Sequence, residues 1–106
     1  MSKNTVGDEM VFSMEDSATF VRPKTVLVRK VGDEVLLLNS ETQAYFSLDE
    51  VGATLYKLLE SGESLGNALE LMRETFDVDM STLRQDCCGL IQNLVQQSLL
   101  LSLIHI

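Results

Sequence analysis

Val35-Leu36-Leu37-Leu38-Asn39-Ser40-Glu41-Thr42-Gln43-Ala44-Tyr45-Phe46-Ser47-Leu48-Asp49-Glu50-Val51-Gly52 decides the fold of this 106-residue chain. An apolar run, a polar turn, a short aromatic stretch and a helix start follow one another directly. Glu34 to Leu38 reads as one strand and Ala44 to Leu48 as the next, with the turn over residues 39–43 between them. The second strand is short and carries no charge. It has few devices against pairing with another chain, and an edge of that kind is either hidden or used.

Toward the N-terminus, Thr25-Val26-Leu27-Val28-Arg29-Lys30-Val31 is β-branched and alternates, which predicts a strand with Val26, Val28 and Lys30 on one face. Gly32-Asp33 supplies the turn into the next strand. The three strands form an antiparallel meander. Pro23, the single proline, pushes Arg22 toward extended geometry and suits a strand start. Residues 1–22 are polar, acidic and without sustained period. They read as a flexible arm that Phe12, Met14 and Phe20 could pin to the domain.

Toward the C-terminus, Asp49 is a good N-cap, and Val51, Leu55, Leu58 and Leu59 recur at helical spacing with Tyr56 alongside. Gly62 stops that helix. Ser64 caps a second, with Leu65, Ala68, Leu69, Met72 and Phe76 as its stripe, and Asp77-Val78-Asp79 breaks it. Ser81 is expected to cap a third, with Leu83, Cys87, Leu90, Ile91, Leu94 and Val95 at helical spacing. Leu99 to Leu101 reads as a short strand or packed segment. The apolar tail from residue 102 to 106 can pack on the domain, pair in a homodimer or be an appended scar, and the residues leave the three open. The order βββααα predicts an α+β, winged-helix-turn-helix-like domain over residues 23–101, a three-stranded antiparallel sheet followed by three helices.

Charge and composition narrow the function. Sixteen acidic residues stand against eight basic ones, a net charge of −8. Nucleic-acid affinity comes largely from neutralising phosphates, so nucleic acid is not an expected partner. A winged-helix DNA-binding regulator is the alternative the fold outline allows, but the third helix offers only Arg84, beside Asp86. No apolar run approaches the roughly 20 residues of a membrane span, and the N-terminus has no signal-peptide apolar region. A cytoplasmic chain with no membrane partner is expected. Cys87 and Cys88 are adjacent and read as reduced, partly buried thiols. No phosphate loop, internal histidine or Cys-x-x-Cys is present, and His105 lies next to the end. Asp77 and Asp79 read as turn acids, and Asp86 as facing solvent or a basic neighbour such as Arg84 or Arg73. No metal, cofactor or catalytic residue is expected, and no enzyme activity in isolation.

The order of residues from Leu37 to Gly52 resembles the pattern of PqqD-like proteins: an apolar strand, a Glu-Thr turn, paired aromatics, a Leu, a helix cap and Val-Gly. Leu58-Leu59-Glu60-Ser61-Gly62-Glu63-Ser64-Leu65 resembles that family's helix end and next helix start. Phe76-Asp77-Val78-Asp79 resembles its break, Asp86, Leu90 and Leu94 its last helix, and Leu99-Leu100 its closing apolar pair. The resemblance spans about residues 24 to 101. Gln43 and Ser98 stand where the family often has glycine, and Tyr56 where it has a bulkier aromatic. A residue with a Cβ resists positive φ, so the geometry of the turn and of the third helix end is in question at Gln43 and Ser98.

The resemblance implies a non-catalytic recognition element of ribosomally made, post-translationally modified peptide (RiPP) pathways, such as those to pyrroloquinoline quinone and lasso peptides. Such a domain binds the leader of a precursor peptide and presents it to a radical S-adenosylmethionine enzyme or a leader peptidase. In the family the leader adds as a strand to the third strand and lies against the third helix. The residues this implies are Gln43, Ala44, Tyr45, Phe46 and Ser47 on the edge, and Arg84, Cys88, Ile91 and Val95 on a helix flank. The residues themselves leave open whether that flank lines a groove or is half-covered by the sheet or tail. Tyr45 and Phe46 point to opposite faces, and the family pattern favours Phe46 and Leu48 as core.

Overall fold

The alternation in the first two predicted strands becomes a tight hairpin. In the computed structural model, which describes residues 15–103, β2 (Val26–Val31) pairs antiparallel with β3 (Glu34–Asn39), Val31 facing Glu34. Gly32 takes φ +63° at the first position of the two-residue loop, the glycine-first arrangement of a type II′ turn. β3 pairs antiparallel with β4 (Tyr45–Leu48) to complete a sheet of order β2-β3-β4. One face of the meander turns Val26, Leu37 and Leu48 into the core.

Three helices follow and complete the core: α1 (Glu50–Glu60), which packs on β3 and β4, α2 (Leu65–Thr75) and α3 (Met80–Gln96). Asp49 Oδ1 accepts from Gly52 N–H (2.9 Å) and caps α1, and Ser64 accepts from Asn67 N–H (3.3 Å) and caps α2. The cap of α3 is Asp79, not the expected Ser81: its Oδ2 accepts from Thr82 N–H at 3.1 Å. Starting two residues earlier brings Met80 against the core. Leu55, Leu59, Leu65, Ala68, Leu69, Met72, Leu83, Cys87, Ile91 and Leu94 fill the interior.

A second sheet has two strands: the first lies outside the predicted set, and the C-terminal strand offered at Leu99 to Leu101 forms two residues later, Leu99 and Leu100 being packed instead. β1 (Thr19–Val21) pairs antiparallel with β5 (Leu101–Leu103), Phe20 facing Ser102. Phe20 is buried, as are Leu99 and Leu100, and residues 102–103 of the apolar tail pair with β1, Leu103 remaining 43% exposed. The stretch expected as an arm up to residue 22 joins the fold well before that point. The carbonyls of Asp16 and Ala18 accept from Gly66 N–H (2.9 Å) and Leu65 N–H (2.8 Å), two of the free amides at the start of α2. A Cβ at Gly66 would sit 2.8 Å from Asp16 Cβ, so glycine permits this close approach. Phe12, Met14 and His105 lie outside the described residues.

Both departures from glycine adopt the left-handed backbone that glycine would take. Gln43 has φ +70° and Ser98 φ +60°. α1 and α3 end in the same hydrogen-bond pattern. Gly62 N–H donates to Leu59 O and Glu63 N–H to Leu58 O at one end; Ser98 N–H donates to Val95 O and Leu99 N–H to Leu94 O at the other. These are the paired bonds of a Schellman cap. The buried side chain of Asn39 ties the two unusual positions together. Its Oδ1 accepts from Glu41 N–H (2.9 Å) and Thr42 N–H (3.2 Å), its carbonyl accepts from Gln43 N–H (2.8 Å), and its Nδ2 donates to Ser98 O (2.8 Å).

Candidate functional site

The ladder between β3 and β4 determines which main-chain groups face outward. Asn39 N–H donates to Ala44 O at 2.8 Å. Antiparallel pairs alternate between bonded and non-bonded, so with Leu37 opposite Phe46 and Val35 opposite Leu48, Phe46 and Leu48 spend their main-chain groups on β3. Tyr45 and Ser47 direct theirs away from the sheet, along the open edge. Tyr45 is 67% exposed while Leu48 is 1% exposed, so the side-chain alternation follows the expectation: Phe46 and Leu48 inward, Tyr45 outward.

Below that edge lies a groove of about 530 Å³ between β4, the start of α1 and one side of α3. Its apolar wall is Phe46, Leu48, Val51, Cys87 and Leu90, and Glu34, Ser47, Asp49 and Asp86 line it as well. Gly52 keeps α1 close: a Cβ there would stand 3.2 Å from Leu90 Cδ2 and 3.3 Å from Leu48 Cδ2. Ser47 Oγ donates to Glu34 Oε1 (2.6 Å) across β4 and β3. The groove therefore offers free main-chain donors and acceptors beside an apolar trough, the combination an added strand uses.

Not every expected site residue falls there. Phe46 and Ser47 line the groove and Tyr45 stands on its edge. Gln43 and Ala44 belong to the turn instead: Ala44 N–H donates to Thr42 Oγ1 (3.2 Å) and its carbonyl serves Asn39, while Gln43 Nε2 donates to Ser40 O (3.1 Å). None of Arg84, Cys88, Ile91 and Val95 lines the groove. Ile91 is fully buried, Val95 packs against the core, and the Arg84 guanidinium is paired with Asp16 from the segment ahead of β1. The side of α3 that meets β4 is the opposite flank of the buried stripe, where Asp86 and Leu90 follow each other at i, i+4 spacing. Among the described residues Asp86 forms no ion pair; Arg84 holds Asp16 and Arg73 holds Glu70.

Both cysteines are free thiols. Burial, reinforced by neighbouring Cys88 and Asp86, pushes the Cys87 thiol up to about 11. Burial raises Cys88 as well, with Arg84 opposing. Neither thiol has the lowered pKa of a reactive cysteine. Among the described residues no group of three or more His, Cys, Asp or Glu could hold a metal, and no helix is long and apolar enough to cross a membrane.

Fold and groove together define a small winged-helix-like α+β domain with an open strand edge beside an apolar groove. Residues 34–100 match the family model described as coenzyme PQQ synthesis protein D (PqqD). The chain belongs to the PqqD family. A solved structure described as TbiB1 in complex with the TbiA(beta) leader peptide is similar to it, at 30% identity over 76% of this chain and 93% of that one, with a TM-score of 0.70. A second, lasso peptide synthetase B1 complexed with the leader peptide, shares the fold at 18% identity, covering 80% of this chain and 98% of that one, again at a TM-score of 0.70. No curated protein matches the chain.

Proposed function

We propose that this protein binds the leader segment of a ribosomally made precursor peptide as an added strand on β4, and delivers it to the enzyme that modifies it. That enzyme is a radical S-adenosylmethionine enzyme or a leader peptidase. The observation that carries the reading is the open Tyr45–Leu48 edge above an apolar groove, in a chain similar to a protein solved with a leader peptide. Strand addition draws affinity from main-chain hydrogen bonds and selectivity from pockets for alternate side chains. Tyr45 and Ser47 supply the first, and the trough of Phe46, Leu48, Val51 and Leu90 the second. The chemistry is assigned to that partner enzyme.

The test is calorimetric titration with the leader segment of a precursor peptide encoded beside this reading frame. Ser47→Pro and Tyr45→Pro each remove an amide that faces outward, so both should weaken binding by about a hundredfold while circular dichroism and thermal unfolding stay near wild type. Phe46→Pro removes an amide bonded to β3 and should lower stability itself. Leader affinity unchanged in folded Ser47→Pro and Tyr45→Pro would exclude docking on this edge.

A further inference from the structure

The charges around the groove are of one sign. Glu34, Asp49 and Asp86 line it, and among the described residues no lysine or arginine does. Two of the three carboxylates are held in place: Glu34 accepts from Ser47 Oγ and Asp49 from Gly52 N–H, both at the groove. Neither bond removes the negative charge. Asp86 forms no ion pair among the described residues, because the arginines nearest it in sequence are taken by Asp16 and Glu70. It stands one turn before Leu90 on the same flank of α3. A cleft of one charge sign with low-dielectric walls concentrates its field on whatever enters. The walls here are Phe46, Leu48, Cys87 and Leu90.

We propose that the groove selects a cationic strand: a peptide that sets lysine or arginine beside the apolar side chains it turns toward Phe46 and Leu90, with Asp86 as the carboxylate that receives the cation. This rests on the strand-docking reading above, and supplies the charge of the peptide that reading leaves unspecified. The open edge and the apolar trough make the site; the carboxylates choose among its occupants. An acidic strand would place like charge against three carboxylates. A neutral one would leave Asp86 unpaired while covering it. Charges at the side of a groove act more on selection and association rate than on total affinity, so discrimination between peptides and its salt dependence are the quantities to read.

The experiment pans a displayed library of random 12-residue peptides against the full chain, and in parallel against Asp86→Lys and Ser47→Pro. Asp86 is exposed on its helix, so the substitution leaves the core untouched. Peptides enriched on the wild type should carry an excess of lysine and arginine over the starting library, and Asp86→Lys should shift the excess toward aspartate and glutamate. A synthetic copy of an enriched peptide should bind Asp86→Asn about fivefold more weakly, the scale of a solvent-accessible ion pair. The difference should shrink between 50 and 500 mM salt. Enriched peptides that need the β4 edge but show no cationic excess, or bind Asp86→Asn as tightly, overturn the charge rule alone. Peptides that bind Ser47→Pro as well as wild type, or no enriched peptides at all, overturn strand docking and the charge rule together.

Discussion

The three-stranded sheet has two edges, and they are finished differently. On β2, Ser40 N–H donates to Thr25 O, and the alternation from there leaves Val28 and Lys30 with outward main-chain groups. Arg29 and Lys30 sit on that strand. The hollow beside it, against α1, carries both signs: Lys30 and Lys57 with Asp33, Glu50 and Glu60. Lysine on an edge strand is a common guard against pairing. On β4 the outward groups belong to Tyr45 and Ser47, no strand residue is charged, and among the described residues the charged groups of the apolar trough are carboxylates. The same sheet thus closes one edge with mixed charge and leaves the other available. An open edge is a liability unless something pairs with it, and the contrast argues that β4 has a partner.

The largest expected effect separates the edges directly. Ser47→Pro and Lys30→Pro each remove one outward amide from an edge strand. For the β4 variant, leader affinity should fall by about a hundredfold, as expected from a lost main-chain bond plus a proline ring in the path of the added strand. For the β2 variant it should change less than about twofold, within the usual range of a remote surface substitution. Equal losses at both edges would erase the distinction.

The turns that position the two edges differ in how much holds them. The β2–β3 turn rests on Gly32, whose neighbourhood is open space. The β3–β4 turn rests on Asn39, buried and bonded to two turn amides and to Ser98 O. Asn39→Ala should cost about 2 kcal/mol in urea unfolding, since it strips several hydrogen bonds from a buried position. Gly32→Ala should cost about 1 kcal/mol, the penalty of a Cβ at positive φ. Only the first should also weaken leader binding, because it frees β4 from the end of α3.

These turns show what was legible in the sequence. The meander, the caps at Asp49 and Ser64 and the stop at Gly62 follow from local patterns of alternation and capping, and the structure has them where expected. Asn39 reads locally as a turn residue. Its bond to Ser98, 59 positions away, has no local signature. β1 is three residues long, too short to show a period, and is a strand because β5 returns beside it. On α3 the spacing of the stripe was legible in Leu83, Cys87 and Leu94, but Ile91, expected on a flank, is the buried member and Leu90 lines the groove. The flanks could not be told apart, since Arg84-Cys88-Val95 and Asp86-Leu90 are both half-apolar. Only the position of β4 decides which faces the groove. Asp86 could have been suspected from its i, i+4 spacing to Leu90.

Each hollow has one buried acid beneath it, Cys87 under the β4 groove and Tyr56 under the β2 hollow. Burial raises both, Cys87 to about 11 and Tyr56 above its ordinary value, with Glu60 adding to the second and Arg22 opposing. The folded chain therefore holds these protons more tightly than the unfolded chain does. That contribution is complete below the ordinary thiol range and is lost as pH rises toward 11. Unfolding free energy should decline above about pH 8.5, the ordinary thiol value, and Cys87→Ala should flatten the first part of the decline. Tyr56 OH also donates to Leu99 O at 2.7 Å. Tyr56→Phe should thus cost about 1 kcal/mol already at pH 7, and it should flatten the decline above pH 10. A slope unchanged in both variants would mean that other groups titrate.

The smallest effect distinguishes necessity from tolerance at the β4 turn. Gln43 holds φ +70°, a conformation that a residue with a Cβ adopts at a cost of about 1 kcal/mol. Gln43→Gly removes that cost but adds freedom to the unfolded chain, which offsets part of the gain. The net should be a stabilisation of about 0.5 kcal/mol. Ser98→Gly, at φ +60° on the end of α3, should behave alike, and the two gains should fall short of additive because Asn39 bonds to both residues' main chains. Gln43 Nε2 reaches only Ser40 O within its own turn, so losing the side chain should leave leader affinity unchanged. A loss of affinity in Gln43→Gly without loss of stability would instead place the Gln43 side chain in contact with the peptide, and would extend the docking edge from β4 into the turn.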